Sequence, residues 1–270
     1  MKLFEKPCDI PWGLFWKNQA CRILSHGVGV ALGKEHESRK RPRMHLAYRI
    51  SESGYAKVKL PNVNNSSCFR NALTTFPLDR VDWKIICDGC GKETLDMIRR
   101  ALPEKCIELV QIGNGAGTFN LALDWALGLN DSDVVYFLEN DYLHTMDALD
   151  VLFDGFSMGA EVITLYDHPD KYDPSHPLFS YMDSHTRVFL GSTRHWKTAF
   201  STTMTFAANV GFLRKYERIF RRWTSGRHPR DFAIFNELME KGVCVISPMP
   251  ATSTHGETAF LAPLVDWSRM

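Results

Sequence analysis

Glu139 and Asp141 close the run Asp133-Val134-Val135-Tyr136-Phe137-Leu138, whose β-branched and aromatic residues read as a buried strand. Carboxylates two residues apart at a strand end can lean into one crevice. In an open α/β sheet the crevice beyond the carboxyl ends of the strands is where ligands bind. Oxygen donors there suit a hard divalent cation, Mn or Mg, that holds a diphosphate. Asp231 follows Arg230 and opens the helical stretch Phe232 to Lys241. It reads either as a helix-terminal dipole partner or as a general base that takes a proton from an attacking hydroxyl. His255 lies in the polar stretch Thr252-Ser253-Thr254-His255-Gly256-Glu257. It reads as a solvated loop residue or as a nitrogen ligand to a metal, on a loop able to fold back over a diphosphate and exclude water.

The elements that must position these groups follow a regular rhythm from residue 44. Strands are predicted over Met44–Ile50, Trp83–Cys87, Glu108–Ile112 and Asp133–Leu138, with helices over Cys68–Phe76, Glu93–Leu102 and Phe119–Leu127 between them. Such alternation means βαβ units and a parallel sheet. The turns at Ser51, Asp88 and Asn114 then fall on the same sheet edge as Glu139 and Asp141, and four polar strand ends on one edge suit a nucleotide. Gly113-Asn114-Gly115-Ala116-Gly117-Thr118 sits between a strand and a helix, either as a plain turn or as a loop whose amides face an anion. It lacks the third glycine of a dinucleotide fingerprint and the Gly-Lys-Ser/Thr of a P-loop. After residue 150 the rhythm changes. Strands are predicted over Glu161–Tyr166, Arg187–Phe189, Thr203–Ala208 and Val243–Ile246, with helices near Gly211–Trp223 and Asp231–Lys241.

At 270 residues and 44% hydrophobic composition the chain can bury a full core. A net charge of +1 argues against a nucleic-acid partner bound through a strong overall field. No run reaches the roughly 18 apolar residues of a membrane span. The seven cysteines are odd in number and scattered, which points to reduced thiols and a cytoplasmic setting. Cys87 and Cys90 have CxxC spacing but no second such pair completes a zinc site, so they read as structural thiols before a metal or redox pair. Residues 1–43 form an arm carrying Trp12, Phe15 and Trp16, then Lys34, Arg39, Lys40, Arg41 and Arg43. The arm either packs its tryptophans on the main domain or makes a peripheral membrane contact. His168 is a further ligand candidate, and His195-Trp196 reads as a packed tryptophan or a shelf for a sugar ring.

The order of these motifs from about residue 44 to about residue 257 resembles the GT-A glycosyltransferases, especially their inverting family-2-like group. Phe137-Leu138-Glu139-Asn140-Asp141 resembles the family's DxD motif, with Glu139 in place of the first acid. Asp88 falls where the family contacts the nucleotide base, and Asn114, Gly117 and Asn120 resemble its Asn-Gly…Asn stretch. Phe119 stands where the family often has an arginine beside Asn120. Arg230-Asp231 resembles the step whose final acid is the catalytic base, with Arg230 where an acid is common. His255 falls where many members carry a metal-coordinating histidine.

The resemblance implies an α/β GT-A fold, with a Rossmann-like nucleotide-binding half at about 44–150 and an acceptor half at about 151–270. It implies a transferase that moves a sugar from a nucleotide-diphospho-sugar to a hydroxyl of a glycan or other acceptor, with inversion. Asp141 and His255 would hold Mn or Mg. Ser51, Asp88, Asn114, Gly117, Glu139 and Asp141 would line the nucleotide pocket, and Asp231 would be the base. A sugar nucleotidyltransferase would need a basic Gly-rich loop after the first strand, where Ser51-Glu52-Ser53-Gly54-Tyr55 stands. A non-catalytic nucleotide- or glycan-binding module of the same fold is the remaining alternative.

Overall fold

The computed structural model describes residues 43–52, 57–172 and 186–270, all within the compact unit Pro42–Met270. The expectations for Trp12, Phe15, Trp16 and the basic residues from Lys34 to Arg41 lie outside the described residues. Arg43 is described, and it pairs with Asp82 at 2.6 Å.

The first half follows the predicted rhythm: β1 (Met44–Ser51), α1 (Asn65–Thr75), β2 (Val81–Asp88), α2 (Lys92–Ala101), β3 (Ile107–Val110), α3 (Gly115–Leu127) and β4 (Val134–Glu139). Then come β5 (Tyr142–His144), α4 (Ala148–Ser157), β6 (Val162–Ile163), β7 (Val188–Leu190), β8 (His195–Ala199), β9 (Phe206–Asn209), α5 (Val210–Trp223), α6 (Asp231–Glu240), β10 (Val245–Met249) and β11 (Ser253–His255). The helix starts are chemically marked. Asn64 caps α1 in a reciprocal box with Ser67, and the Asn114 side chain accepts from the Gly117 amide at the start of α3.

Among the described residues, nine strands form one sheet in the order β3-β2-β1-β4-β9-β6-β10-β8-β7. β8 and β9 run against the others, so the sheet is mostly of one direction. The Thr203–Ala208 strand is shifted to Phe206–Asn209, because Thr203 and Met204 take φ of 50° and 60°, a left-handed turn that a strand cannot contain.

Both faces of the central strands are buried, which explains their near-continuous apolar runs. Leu46, Tyr48, Ile50, Tyr136 and Leu138 face a core shared with Phe69 of α1, Ile98 of α2 and Leu152 of α4. The alternate residues Ala47, Val135 and Phe137 face a second core with Phe119 of α3, Phe220 of α5 and Phe235 of α6. Phe206 of β9 is the hub of that second core. It stacks on Phe220 with centroids 5.8 Å apart and also meets Phe119, Phe137 and Phe235. Phe206→Ala is therefore expected to cost about 3–5 kcal/mol of stability, checked by urea denaturation monitored by circular dichroism.

Candidate functional site

The period-2 pattern sets which strand-end residues meet. On β1 the residue after Ala47 on the same face is Arg49, and on β4 the residue after Phe137 on that face is Glu139. The parallel register places Arg49 beside Glu139, and they pair at 2.9 Å. Arg49 is only 4% exposed, so its guanidinium needs protein partners. The same nitrogen that meets Glu139 reaches the Met204 carbonyl at 3.3 Å, and the other terminal nitrogen reaches the Gly115 carbonyl at 3.1 Å. Nε has no protein partner. Arg49 thus ties β4, the start of α3 and the left-handed turn before β9 to one point. Burial raises the Glu139 carboxyl above its ordinary value, against the opposing pull of Arg49, and the Asp141 charge adds to the rise. About 30% of its side chain remains open to solvent.

Asp141 lies in the turn that reverses β4 into β5. β5 pairs antiparallel with β11, and the register sets His255 opposite Tyr142. The Gly256 amide donates to the Asp141 carbonyl at 2.8 Å. A Cβ on residue 256 would lie 2.9 Å from that carbonyl and 2.3 Å from Val63, so glycine is what allows the close approach. The ribbon brings His255 Nε2 to 3.2 Å from Asp141 Oδ2, although 114 positions separate the two residues in sequence. His255 Nδ1 accepts from the Glu257 amide at 3.3 Å, which leaves the ring proton on Nε2, facing the carboxylate. Lys59 Nζ sits 3.1 Å from the same Oδ2. Burial works to raise the Asp141 carboxyl, but the His255 hydrogen bond and the Lys59 ammonium outweigh it and hold Asp141 well below the usual carboxylate range.

Asp231 begins α6 and accepts a hydrogen bond from the Ser201 hydroxyl at 2.6 Å. Ser201 Oγ in turn accepts from the Thr203 amide at 3.4 Å, and Thr203 Oγ1 bonds the Tyr142 hydroxyl at 2.5 Å. Tyr142 adjoins Asp141 in sequence. The candidate base and the acidic turn are therefore linked through one loop, Ser201–Met204, that Arg49 also holds.

Other predicted residues are placed as supports. The Ser51 carbonyl accepts from Asn140 at 3.0 Å and Asn65 at 3.2 Å, so β1 ends against the acidic turn. Asp88 accepts from the Ile112 amide at 2.7 Å and the Gly113 amide at 2.9 Å, which commits its carboxylate to the loop after β3. In the Gly113–Thr118 stretch the amides of Ala116, Gly117 and Thr118 meet the Arg227 carbonyl, the Asn114 side chain and the Asn114 carbonyl. Those three donors are already used, the arrangement of a plain strand-to-helix turn. A Cβ at Gly117 would meet Ile112 Cγ2 at 2.4 Å. Asn120 bonds the Thr224 carbonyl and accepts from Arg221, joining α3 to α5. His168 accepts from the Asp170 amide. Trp196 is fully buried with its indole N–H on Asp154, which makes it a packed core residue rather than a sugar shelf. Cys87 and Cys90 are free thiols that line a cavity of about 300 Å³ with Leu109 and Gln111.

Arg49, Lys57, Lys59, Ser201, Thr203 and Tyr142 were not singled out by sequence reasoning. Arg49 had a signal, a cation at the end of an otherwise apolar strand. Lys57 and Lys59 alternate with Val58 and Leu60, so two cations share one side of an extended segment. Ser201 and Thr203 carried none.

A divalent cation is compatible with the residues present. Among the described residues no cluster of three or more His, Cys, Asp or Glu forms a metal cage. Mg²⁺ is usually held by one or two carboxylates plus substrate phosphates, so a cage is not required. Asp141 Oδ1 is buried without a partner, and His255 Nε2 stands beside the same carboxylate. Glu257 Oε2 lies 4.0 Å from His255 Nδ1, beyond hydrogen-bond distance, and pairs with Lys57 instead.

No protein-family model matches the sequence, and no curated protein matches it. Solved structures of similar fold include TarS 1–349 of S. aureus in complex with UDP-GlcNAc, with 13% identity over 65% of this chain and 47% of that one, at a TM-score of 0.39. The chain thus spans about half the length of the TarS fragment. The galactosyltransferase LgtC in complex with donor and acceptor sugar analogues matches with 12% identity over 75% of this chain and 73% of that one, at a TM-score of 0.43. Both likenesses are of fold.

Arg49→Met would leave Glu139 without its counter-charge and is expected to cost about 3 kcal/mol at neutral pH, the low end for a broken buried pair. A carboxyl whose folded pKa is raised stabilises most when protonated, below its ordinary value of 4.5, and loses that contribution as pH rises through the folded value. Removing Arg49 raises it further. The stability gap between variant and wild type should therefore widen from pH 5 to pH 8, checked by urea denaturation across that range.

Proposed function

We propose that the chain is a GT-A-type glycosyltransferase that moves a sugar from a nucleotide-diphospho-sugar to an acceptor hydroxyl, with inversion and with a divalent cation. The observation that carries this reading is the meeting of Asp141 and His255 at 3.2 Å beyond the end of β4, with Asp231 tied to the same crevice through Ser201, Thr203 and Tyr142. Inverting transfer needs a base for the attacking hydroxyl and charge stabilisation for the leaving diphosphate, and a separate carboxylate and an acid–imidazole pair for a cation could supply them.

Asp141 and His255 would hold Mn or Mg. When bound, the cation supplies charge neutralisation for the leaving diphosphate. The nucleotide would lie along the ends of β1, β2 and β4, beside Ser51, Asp88 and Glu139, with Asn114 and Gly117 shaping the neighbouring turn. The acceptor hydroxyl would give its proton to Asp231 and attack the anomeric carbon in line, opposite the departing diphosphate. Ser201 orients that carboxylate by donating to one of its oxygens. The turn at Thr203 and Met204 fixes Ser201 through Tyr142 and Arg49.

Asp231→Asn tests the assignment. It removes the proton acceptor with little change in shape and is expected to lower kcat about 10²–10⁴-fold, the usual contribution of a positioned general base. Donor affinity by calorimetry should be nearly unchanged. A variant with normal turnover removes Asp231 from the mechanism. A wild-type protein that binds nucleoside diphosphates but neither transfers nor hydrolyses a donor is a binding module instead.

A further inference from the structure

The segment before α1 is fastened along the residues that follow His255 at the end of β11. The Leu60 amide donates to the Gly256 carbonyl at 3.0 Å and the Thr258 amide to the Val58 carbonyl at 2.9 Å, and Lys59 forms a backbone bridge with Glu257. This fastening sets two ammonium groups over the candidate cation site. They have different partners. Lys57 Nζ pairs with Glu257 at 3.4 Å and lies 3.5 Å from His255 Nε2. Lys59 Nζ sits on Asp141 Oδ2, the oxygen that also faces His255.

We infer that the Lys59 ammonium is the resident counter-ion of Asp141, that it competes with a divalent cation for that carboxylate, and that it moves to the donor's diphosphate when cation and donor enter together. The inference rests on the glycosyltransferase reading and names how one residue couples its two ligands. A divalent cation on either oxygen of Asp141 would lie within several ångströms of the ammonium on Oδ2 and be repelled by it. The backbone of residue 59 is held, but its side chain is 31% exposed, and a lysine has four flexible carbons on which to swing its charge. A diphosphate bound to the same cation offers the nearest new anion. Cation and diphosphate then assist each other, each entering more readily when the other is present.

The test is Mn²⁺ binding to the full chain without nucleotide, read by calorimetry or by the loss of the free-ion paramagnetic resonance signal. Lys59→Met, with folding checked by its melting transition, should bind Mn²⁺ roughly tenfold more tightly than wild type, within the usual range for coupled sites. The factor by which a nucleoside diphosphate tightens Mn²⁺ should shrink by a similar amount. Lys84→Met, whose ammonium on β2 pairs with Glu108 of β3, should leave Mn²⁺ affinity near the wild-type value. Equal or weaker Mn²⁺ affinity in Lys59→Met, including binding by neither protein, overturns the inference. A panel of UDP, GDP, ADP and CDP separates the two failures. Nucleotide binding that persists while Lys59→Met leaves Mn²⁺ unchanged sinks the role of Lys59 alone, whereas wild type that binds Mn²⁺ but no nucleotide sinks the glycosyltransferase reading.

Discussion

A guanidinium at the end of a fully buried strand governs this structure. β1 is flanked on both sides and covered on both faces, so Arg49 has almost no access to water. An uncompensated charge there would cost several kcal/mol. Its terminal nitrogens are met by a carboxylate from β4, a carbonyl from the start of α3 and a carbonyl from the turn before β9. These segments are distant in sequence and belong to both halves of the chain. Satisfying one cation therefore fixes where the acidic turn, the glycine turn and the Ser201–Met204 loop lie relative to one another. The apolar cores on either face hold the sheet, but it is the Arg49 network that registers the loops above it.

The first half of the fold was legible because its strands and helices are long enough to show their periods. From β1 to β4 every element was anticipated within a few residues. What could not be read is short or made by tertiary pairing. β5 and β11 have three residues each and form a two-stranded ribbon apart from the main sheet. β11 falls in Ser253-Thr254-His255, which looks like a polar loop until its partner is known. α4, in Ala148–Ser157, is apolar on most sides and carries no capping bond from a side chain, so its start is unmarked.

The residues proposed for the site are legible in sequence by their acids, whereas what surrounds them is not. Asp141, His255 and Asp231 stand out because they are polar, ionisable residues at the ends of elements, places where such groups serve ligands and backbone alike. Asp88 and Asn114 stood out for the same reason, yet their oxygens hold backbone amides. Residue type reveals that a polar group has a task at a strand end, and only geometry distinguishes holding a ligand from holding a loop. Lys59 is the converse case. It was not singled out, and its place beside Asp141 comes from backbone bonds to residues 256–258, some two hundred positions away.

Glu139 and Asp141 show how two carboxylates spaced i and i+2 acquire opposite characters. Glu139 faces the Arg49 network, and burial raises its carboxyl. Asp141 is past the strand, between Lys59 and His255, and those neighbours hold its carboxyl low. Counting charges over the crevice, Arg49 balances Glu139, Lys59 balances Asp141, and Lys57 balances Glu257. The three pairs around the acidic turn are thus neutral by themselves, while Asp231 has a hydroxyl rather than a cation as its partner. A diphosphate diester and a divalent cation carry equal and opposite charge, so either alone would unbalance a partly desolvated space while the two together would not. Joint entry of donor and cation would preserve the balance of these three ion pairs, with Lys59, shared between carboxylate and solvent, passing from Asp141 to the diphosphate.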